Sequence, residues 1–264
     1  MASSSTVKPL KRSQFIKDLN QLLTPEEFED YGPNGLQVEG AEEIKNINFA
    51  VSATRQSIEQ AVANGADTLI VHHGLFWKFQ QGKTLTGTFA RRIFPLIKNK
   101  INLIAFHLPL DANLEVGNAA IIAKRLELKG VTPFGDHKGH SIGVKGYFDP
   151  PLIPSCLEEK LRKVLQHPII HAQASTPTIS SLGIITGGAS SRWCSAITEE
   201  IDSYLTGEIS EHDWHESQEA NIHMFAGGHN ATESLGIQAL MRWVQDHNEQ
   251  HGLRCSYIPS NNPA

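Results

Sequence analysis

The 264-residue sequence predicts an α/β protein organised as two lobes. Apolar runs of strand length alternate with amphipathic helical segments along most of the chain, as in sheets flanked by helices. A Gly- and His-rich stretch from Gly130 to Gly146 has little periodicity and marks the predicted lobe boundary. We therefore expect an N-terminal α/β lobe over residues 1–130 and a C-terminal α/β lobe over residues 131–264.

The N-terminal lobe is predicted to begin with an amphipathic helix over residues 13–23, with Ser13 as its N-cap. A short strand follows at Leu36–Val38, after the turn residues of a Gly-Pro-Asn-Gly segment. The segment Ile44–Ala53 has the pattern of a strand, and Thr54–Asn64 has the pattern of a helix.

The next apolar run is a predicted strand that ends abruptly in His72, His73 and Gly74. Strand, helix and strand in this order predict parallel pairing with a right-handed crossover. Ligands gather at the carboxyl ends of the strands in such sheets, which is where the paired histidines fall. They are either two metal ligands or a hydrogen-bonded pair beside a turn.

A third buried strand, Ile101–Phe106, also stops at residues of ligand type, His107 and Asp111. Pro109 between them predicts a loop and not a helix. Asp111 is a candidate metal ligand or, like Asn113, an N-cap for a helix predicted over residues 114–126.

The predicted C-terminal lobe contains three segments of interest. A loop at Gly187–Ser191 resembles a phosphate-binding turn but lacks the required spacing, so it is interpreted as a strand-to-helix turn, with a backbone anion nest as the alternative. A strand near Tyr204 is predicted to lead into an acidic loop that contains Glu208 and His212. Further on, two glycines precede His229, and a helix is predicted from Asn230, which places Glu233 on the same face as His229.

These strand and helix ends supply a set of imidazoles and carboxylates without a cysteine: His72, His73, Asp111 with His107, His229 and Glu233. Such a set suits zinc, manganese, iron or nickel better than calcium or magnesium. Adjacent strand residues point to opposite sides, so His72 and His73 favour two ions, bridged by a carboxylate such as Asp111 or Glu233. Two divalent ions with two carboxylates carry a net charge of about +2, which attracts an anionic group.

Bulk composition excludes several other classes of function. The net charge of -5 provides no basic footprint for general nucleic-acid binding. Three widely separated cysteines form neither a disulfide framework nor a thiolate zinc motif, and they fit a cytoplasmic protein. No apolar run has the length of a membrane span. The Ser-rich start, Met1–Arg12, is interpreted as a frayed tail, with a short organelle-targeting piece as the alternative.

Five segments occur in the order seen in the Nif-three-like family, also called the GTP cyclohydrolase I type 2 or dinuclear metal-centre family. They are Gly32-Pro-Asn-Gly-Leu-Gln-Val, Val71-His-His-Gly, His107-Leu-Pro-Leu-Asp-Ala-Asn, Thr206-Gly-Glu and Gly228-His-Asn-Ala-Thr-Glu. The chain resembles the short form of that family, without the inserted domain of longer members, from about Phe15 to Ala239. One departure is Asn230, where an aromatic residue is expected in many relatives.

The resemblance implies two associated α/β lobes with mixed sheets flanked by helices, a dinuclear metal site in the cleft between them, and a ring-shaped homohexamer. It places the metal ligands on His72, His73, Asp111, His229 and Glu233, and it makes His107 a partner that orients a ligand.

The function expected from these observations is a metal-dependent hydrolase. A metal-bound hydroxide would attack an anionic, nucleotide-like substrate, and the family label suggests C8 of the guanine ring of GTP. Glu208 and His212 are candidates for proton transfer, with a supporting role for Glu208 as the alternative. The alternative function is a metal-binding assembly or regulatory scaffold without turnover.

Overall fold

The structure is a computed structural model that describes residues 8–80 and 82–264. The predicted N-terminal tail falls largely on residues 1–7, outside the described residues. The strands are β1 (Leu10–Lys11), β2 (Gly35–Val38), β3 (Glu43–Ile44), β4 (Asn46–Ser52), β5 (Thr68–His73), β6 (Asn102–Ala105), β7 (Lys129–His137), β8 (His140–Leu152), β9 (Ile170–Ala172), β10 (Ile179–Ile184), β11 (Ser203–Thr206), β12 (His223–Ala226) and β13 (Arg254–Tyr257). The helices are α1 (Arg12–Leu23), α2 (Arg55–Ala63), α3 (Gly87–Lys98), α4 (Leu108–Ala112), α5 (Asn118–Arg125), α6 (Pro154–Leu165), α7 (Cys194–Thr198), α8 (Glu211–Glu219) and α9 (His229–His247).

The described residues divide into two compact units. The first contains the chain up to Pro109 together with Leu240–Ser260, and the second contains Leu110–Ala239 together with the last four residues. The division of the chain into two lobes at residue 130 stays a prediction. Asp111, which that boundary assigns to the N-terminal lobe, lies in the second unit.

The first unit is built on a five-stranded mixed sheet in the order β13-β4-β5-β6-β2. Strands β13, β4, β5 and β6 are parallel, and β2 runs antiparallel to β6. Helix α2 joins β4 to β5, so the predicted strand–helix–strand element is confirmed. Thr54 begins this helix with a capping box, because its side chain accepts from the Ser57 backbone while the Ser57 side chain accepts from Thr54. The apolar core includes Leu69, Val71 and Leu103.

The second unit is built on a six-stranded mixed sheet in the order β7-β8-β10-β11-β12-β9. Strands β10, β11 and β12 are parallel, while β8 and β9 run antiparallel to their neighbours β10 and β12. Its core combines residues of the sheet, such as Ile184, Leu205 and Phe225, with apolar faces of α5 and α6. The predicted α/β class, with mixed sheets flanked by helices, is therefore confirmed.

The stretch from Gly130 to Gly146, which shows little periodicity in the sequence, forms most of a β-hairpin. Strands β7 and β8 pair antiparallel up to His137 and His140, and the chain reverses between them. Gly130 and Gly135 adopt positive φ values inside β7. Glycines at such positions interrupt the alternation of side chains, which is why the strand pattern is invisible in the sequence.

Several predicted element boundaries are wrong for local reasons. The predicted loop after His107 is helix α4, because Pro109 occupies its second position, where a missing N–H costs little. The helix expected from residue 114 begins only at Asn118. The Asn113 side chain accepts hydrogen bonds from the backbone N–H groups of Glu115 and Val116, which holds these residues in a turn before the helix. The predicted acidic loop around His212 is helix α8.

Two further differences concern helix ends and the last strand. The N-cap of α1 is Lys11 without a side-chain bond, and Ser13 lies inside the helix. Strand β13, near the end of the chain, is not predicted from the sequence, and it pairs with β4. Among the described residues, no helix combines the length and apolar character needed to cross a membrane.

A histidine pair, half-buried His171 and fully buried His223, lies on strands β9 and β12 of the second unit. His171 Nε2 is 3.1 Å from His223 Nδ1, and the backbone N–H of Ala174 donates to the same Nδ1. His223 Nε2 then donates to the carbonyl oxygen of Thr176 at 3.0 Å. Burial and the neighbouring His223 lower the pKa of His171 to about 4, against the opposing influence of Glu158. Burial also lowers the pKa of His223.

We expect this pair to make the protein acid-sensitive. In the unfolded chain these imidazoles take up protons near pH 6.5, whereas folded His171 resists protonation until about pH 4. The unfolded state therefore binds more protons in this window, and the free energy of unfolding falls as the pH is lowered from 6.5 to 4, by about 2–3 kcal/mol. Urea unfolding across this range should show a shallower fall in His171→Phe, which keeps a ring against Phe225. A surface control, His215→Ala, should retain the full fall, and equal slopes in all three proteins would contradict the prediction.

Candidate metal centre

In the first unit, three histidines converge at the carboxyl end of β5. His72 and His73 are its last two residues, and His107 follows β6. Each offers one ring nitrogen, and these atoms lie within 4.8 Å of one another, so the triad could hold a metal ion. The expectation that the side chains of His72 and His73 point apart is not met, since their ring centroids are 4.6 Å apart. Strict alternation is not enforced at the last residue of a strand, and the number of ions therefore stays a prediction.

The second nitrogen of each imidazole in this triad has a hydrogen-bond partner. His72 Nδ1 donates to the carbonyl oxygen of Phe106 at 3.0 Å, and His73 Nδ1 is 3.0 Å from the Ser52 hydroxyl. His107 Nδ1 is 2.7 Å from a carboxylate oxygen of Asp30. These contacts fix the ring orientations and assign Nε2 as the ligand atom, the arrangement typical of metal-binding histidines. His107 is expected from the resemblance to orient a ligand, and its position in the triad also qualifies it as a direct one.

Asp30 is a buried carboxylate that organises the loop around His107. Besides the His107 ring, it accepts bonds from the backbone of Tyr31 and Leu108 and from the Asn34 side chain. The Asn34 carbonyl oxygen in turn accepts the His107 backbone N–H at 2.8 Å. Burial alone would raise the pKa of Asp30, but the bonds and charge of His107, with those of Asn34 and Leu108, lower it to about 2. The carboxylate therefore stays ionised beside the triad.

Gln37 fixes the turn that follows the paired histidines. Its Oε1 accepts the backbone N–H of Leu75 at 2.8 Å, and its Nε2 donates to the carbonyl oxygen of Pro33. A Cβ atom on Gly74 would lie 2.3 Å from this amide, so a larger residue there would displace the Gln37 side chain. The Gly-Pro-Asn-Gly-Leu-Gln segment thus supports the triad from two positions, Asn34 and Gln37.

In the second unit, His229 and Glu233 form the start of α9. His229 Nε2 lies 3.2 Å from Glu233 Oε1, as expected for residues four apart on one helix face. His229 Nδ1 contacts Glu208 Oε1, which assigns Nε2 as the ligand atom here too. Burial alone would lower the pKa of His229, but hydrogen bonds and charge from Glu233 and Glu208 raise it to about 9. The same two carboxylates that favour an imidazolium favour a bound metal cation.

Gly187 packs directly against this pair. Its φ is +68°, and a Cβ atom there would lie 2.2 Å from Glu233 Oε1 and 3.1 Å from His229 Nε2. Its carbonyl oxygen accepts bonds from the backbone of Gly207 and Glu208. The turn after β10, interpreted from the sequence as a strand-to-helix turn, thus sets the space around both candidate ligands.

Asp111, the remaining candidate ligand, is buried in α4 of the second unit. Its Oδ1 accepts a bond from Asn118 Nδ2 at 2.7 Å and one from the Thr186 hydroxyl at 3.2 Å. Asn118 is itself fully buried, and its Oδ1 accepts the backbone N–H of Gly236 in α9 at 3.0 Å. Asn118 therefore ties the Asp111 carboxylate to the helix that carries His229.

Replacing Asn118 with alanine is expected to lower the free energy of unfolding by about 2–3 kcal/mol, because the buried Gly236 N–H loses its acceptor and Asp111 loses a donor. Metal affinity should also fall by about 10- to 100-fold, as when an outer partner of a ligand is removed. Urea unfolding and metal titration test both effects. The control is Gln218→Ala, whose amide bonds to the Gln173 carbonyl at the surface, and it should change stability by less than about 0.5 kcal/mol. Equal behaviour of the two variants would refute the role of Asn118.

The two candidates for proton transfer have different surroundings. Glu208 contacts His229, which supports the role of holding a ligand in place. His212 lies on α8 with a largely exposed side chain, near Ser210 and Asp213. Buried Asp213 accepts bonds from the hydroxyls of Ser190 and Ser210 and from the indole of Trp193, and so fixes the chain that follows the Gly187 turn.

The residues present fit a metal ion of the type predicted from the sequence. Imidazole nitrogens and carboxylate oxygens are ligands of zinc, manganese, iron and nickel. The first unit offers the three imidazoles of its triad, the second unit offers the His229 imidazole and the Glu233 carboxylate, and these imidazoles have hydrogen-bonded second nitrogens. Mixed α/β units that carry such clusters define the chain as an α/β protein with a candidate metal centre.

Comparison with known proteins assigns the family. A model of Duf34/NIF3 (NGG1p interacting factor 3) matches residues 10–263, so the chain belongs to this family. A GTP cyclohydrolase 1 type 2 homolog of Vibrio cholerae is 39% identical over 249 residues, which cover 93% of this chain and 96% of the relative. A protein with the same description from Chlamydia muridarum is 42% identical over 229 residues, covering 86% and 90% of the two chains.

Solved structures show the same fold. The structure titled protein ybgI, of unknown function, superposes with a TM-score of 0.87 at 35% identity and covers 97% of this chain and 100% of its own. TTHA1606 from Thermus thermophilus superposes with a TM-score of 0.84 at 27% identity, covering 96% and 100% of the two chains. The resemblance to the Nif-three-like family noted in the sequence is thereby confirmed.

Proposed function

We propose that the chain is a dinuclear-metal-dependent hydrolase that acts on an anionic, nucleotide-like substrate. His72, His73, Asp111, His229 and Glu233 bind two divalent ions in this proposal. The observation that supports it is the common orientation of the imidazoles: the Nδ1 atoms of His72, His73 and His229 have hydrogen-bond partners, which makes their Nε2 atoms the candidate ligand atoms.

Divalent ions bound by these residues would activate water and polarise a carbonyl or phosphoryl oxygen. The chain's own residues do the positioning. The Phe106 carbonyl fixes the tautomer of His72, because a carbonyl only accepts, and Glu208 orients His229. Asn118 and Thr186 donate hydrogen bonds to Asp111 Oδ1 and fix the position of this carboxylate, which would contribute a ligand to a bound metal ion.

Charge supports an anionic substrate. Two divalent ions with Asp111 and Glu233 leave a net charge of about +2, and an anion such as a phosphate would lower it. The description of the relatives as GTP cyclohydrolase 1 type 2 homologs supports a nucleotide of the GTP type. We further propose that the protein works in the cytoplasm, where cysteines such as its three free ones stay reduced, and that it assembles as the homohexamer that the family resemblance implies.

The test is reconstitution of the full chain with manganese, zinc or iron, followed by turnover assays with GTP, other nucleotides and phosphate esters. Wild type should contain close to two ions per chain, fewer in Asp111→Asn, and it should turn over at least one nucleotide. His72→Ala and Glu233→Ala should lose this activity, whereas the surface variant His215→Ala should keep it.

Two outcomes contradict the proposal. A reproducible single ion per chain in the wild type would refute the dinuclear centre. The second outcome is that wild type turns over no substrate faster than His72→Ala and Glu233→Ala with any metal, while those variants lose hexamer assembly. This result would favour a metal-binding scaffold. Sedimentation velocity gives the assembly state.

A further inference from the structure

An aromatic pair, half-buried Trp77 and exposed Phe79, follows the paired histidines in the first unit. The rings of Trp77 and Phe79 stack with centroids 5.8 Å apart and an interplanar angle of 23°. Phe79 is 70% exposed and Tyr31, on the neighbouring loop, is 46% exposed. A patch of large apolar rings on a protein surface often marks a binding site for another molecule.

The rings of Trp77 and Tyr31 lie next to the histidine triad. Trp77 meets the His107 ring edge-on, with centroids 5.2 Å apart and an angle of 87°, and it lies 6.0 Å from His73. Tyr31 lies 6.0 Å from His107. A molecule bound at the triad would therefore have aromatic faces within reach.

The backbone holds the rings in place. The N–H of Lys78 donates to the carbonyl oxygen of Tyr31 at 2.8 Å, which joins the two aromatic segments. A Cβ atom on Gly32 would lie 2.4 Å from the Phe76 carbonyl oxygen, so the segments approach closely there. Phe76 itself points inward and packs edge-on against Phe89. These backbone contacts thus fix the segment that carries Trp77 and Phe79 beside the segment that carries Tyr31.

We propose that Trp77, Phe79 and Tyr31 form a ring-stacking subsite for the planar heterocycle of the substrate, with the anionic part of that molecule at the metal centre. This inference rests on the proposed function and specifies its substrate class, a nucleotide in place of a simple phosphate ester. Stacked aromatic side chains bind every base through its π face, whereas a sugar phosphate offers no such face. Exposed Lys78, in the same turn, adds a positive charge that favours an anionic ligand.

The experiment measures binding to the metal-loaded full chain by calorimetry, with guanosine monophosphate, guanosine and ribose 5-phosphate as probes. Phe79→Ala should weaken the two guanine ligands by about 5- to 100-fold, the range for one base stack, and leave ribose 5-phosphate unchanged. The control is Phe94→Ala, which removes a 53% exposed phenylalanine of α3 and should change none of the three affinities. Guanosine monophosphate should also quench Trp77 emission, and the quench should be lost in Trp77→Phe.

Three results would overturn the subsite. One is equal affinity of the wild type for guanosine monophosphate and ribose 5-phosphate. Another is an unchanged affinity for guanine ligands in Phe79→Ala. The third is a lowered assembly state in Phe79→Ala with unchanged discrimination between ligands, which would make the pair an interface between copies. Guanosine binding involves neither turnover nor a phosphate, so a catalytically inactive protein that still discriminates the ring would refute the hydrolase and retain the subsite.

Discussion

Replacing Gly187 with alanine is expected to lower the metal affinity of the His229 and Glu233 pair by about 10- to 100-fold. The added Cβ would lie 2.2 Å from Glu233 Oε1, inside van der Waals contact, so the carboxylate or the turn has to move. The same atom would lie 3.1 Å from His229 Nε2, the predicted ligand atom. Both candidate ligands of α9 are therefore disturbed by a single methyl group, without removal of either side chain.

Gly65→Ala separates this effect from backbone strain. Gly65 has φ +64°, close to the +68° of Gly187, but a Cβ there meets no atom within 4 Å. Both variants should lose about 1–2 kcal/mol from the left-handed conformation, and only Gly187→Ala should lose metal as well. Metal titration and urea unfolding of the two variants make the comparison. Full metal occupancy in Gly187→Ala would contradict the close packing at Glu233.

The sequence predicts the clusters well where ligand types follow apolar strands. His72 and His73 end β5, and His229 and Glu233 share the first turn of α9, as expected. These signals are local, because strand length, a terminating glycine and a spacing of four can be recognised within about ten residues. The assignment of the five residues as ligands stays a prediction, which the metal analysis above tests.

The supporting residues were missed because their partners are distant in sequence. Asp30 and His107 are 77 residues apart, and Asn118 and Gly236 are 118 apart. Nothing local distinguishes a buried aspartate that accepts four bonds from one that caps a turn. Asn34 and Gln37 differ, because they belong to the Gly-Pro-Asn-Gly-Leu-Gln-Val segment, which can be recognised in the sequence.

The misassigned helices have a related cause. Helix α4 has five residues, and α8 carries a polar sequence with four acidic residues and two histidines, so neither has a clear apolar stripe. Helix α8 is instead begun by Ser210, whose hydroxyl accepts from the Asp213 backbone, and Asp213 is held by Ser190 and Trp193. Tertiary hydrogen bonds thus stabilise an element that periodicity alone does not predict.

Replacing Asp30 with alanine should give the largest loss of stability among these variants. The carboxylate is buried and accepts bonds from the His107 ring, the Asn34 amide and two backbone N–H groups. Its removal leaves those donors without their acceptor in a buried place, and we expect the free energy of unfolding to fall by about 3–5 kcal/mol. A matched control is Asp18→Ala on α1, where the lost bond to Gln14 lies at the surface and is worth about 0.5 kcal/mol or less.

Measuring metal affinity separates two roles of Asp30, which are to stabilise the loop and to orient the His107 ring. Asp30→Asn keeps the shape and one carbonyl oxygen, so it should fold, yet it weakens the bond that orients the His107 ring. If His107 is a ligand or holds one in place, Asp30→Asn should lower the metal affinity of the folded protein by about 10- to 100-fold. Unchanged metal affinity in folded Asp30→Asn would mean that Asp30 serves only the loop, and that the triad binds metal through His72 and His73 without help from His107. The same titration therefore shows whether the hydrogen bond between Asp30 and His107 belongs to the metal centre or only to the fold.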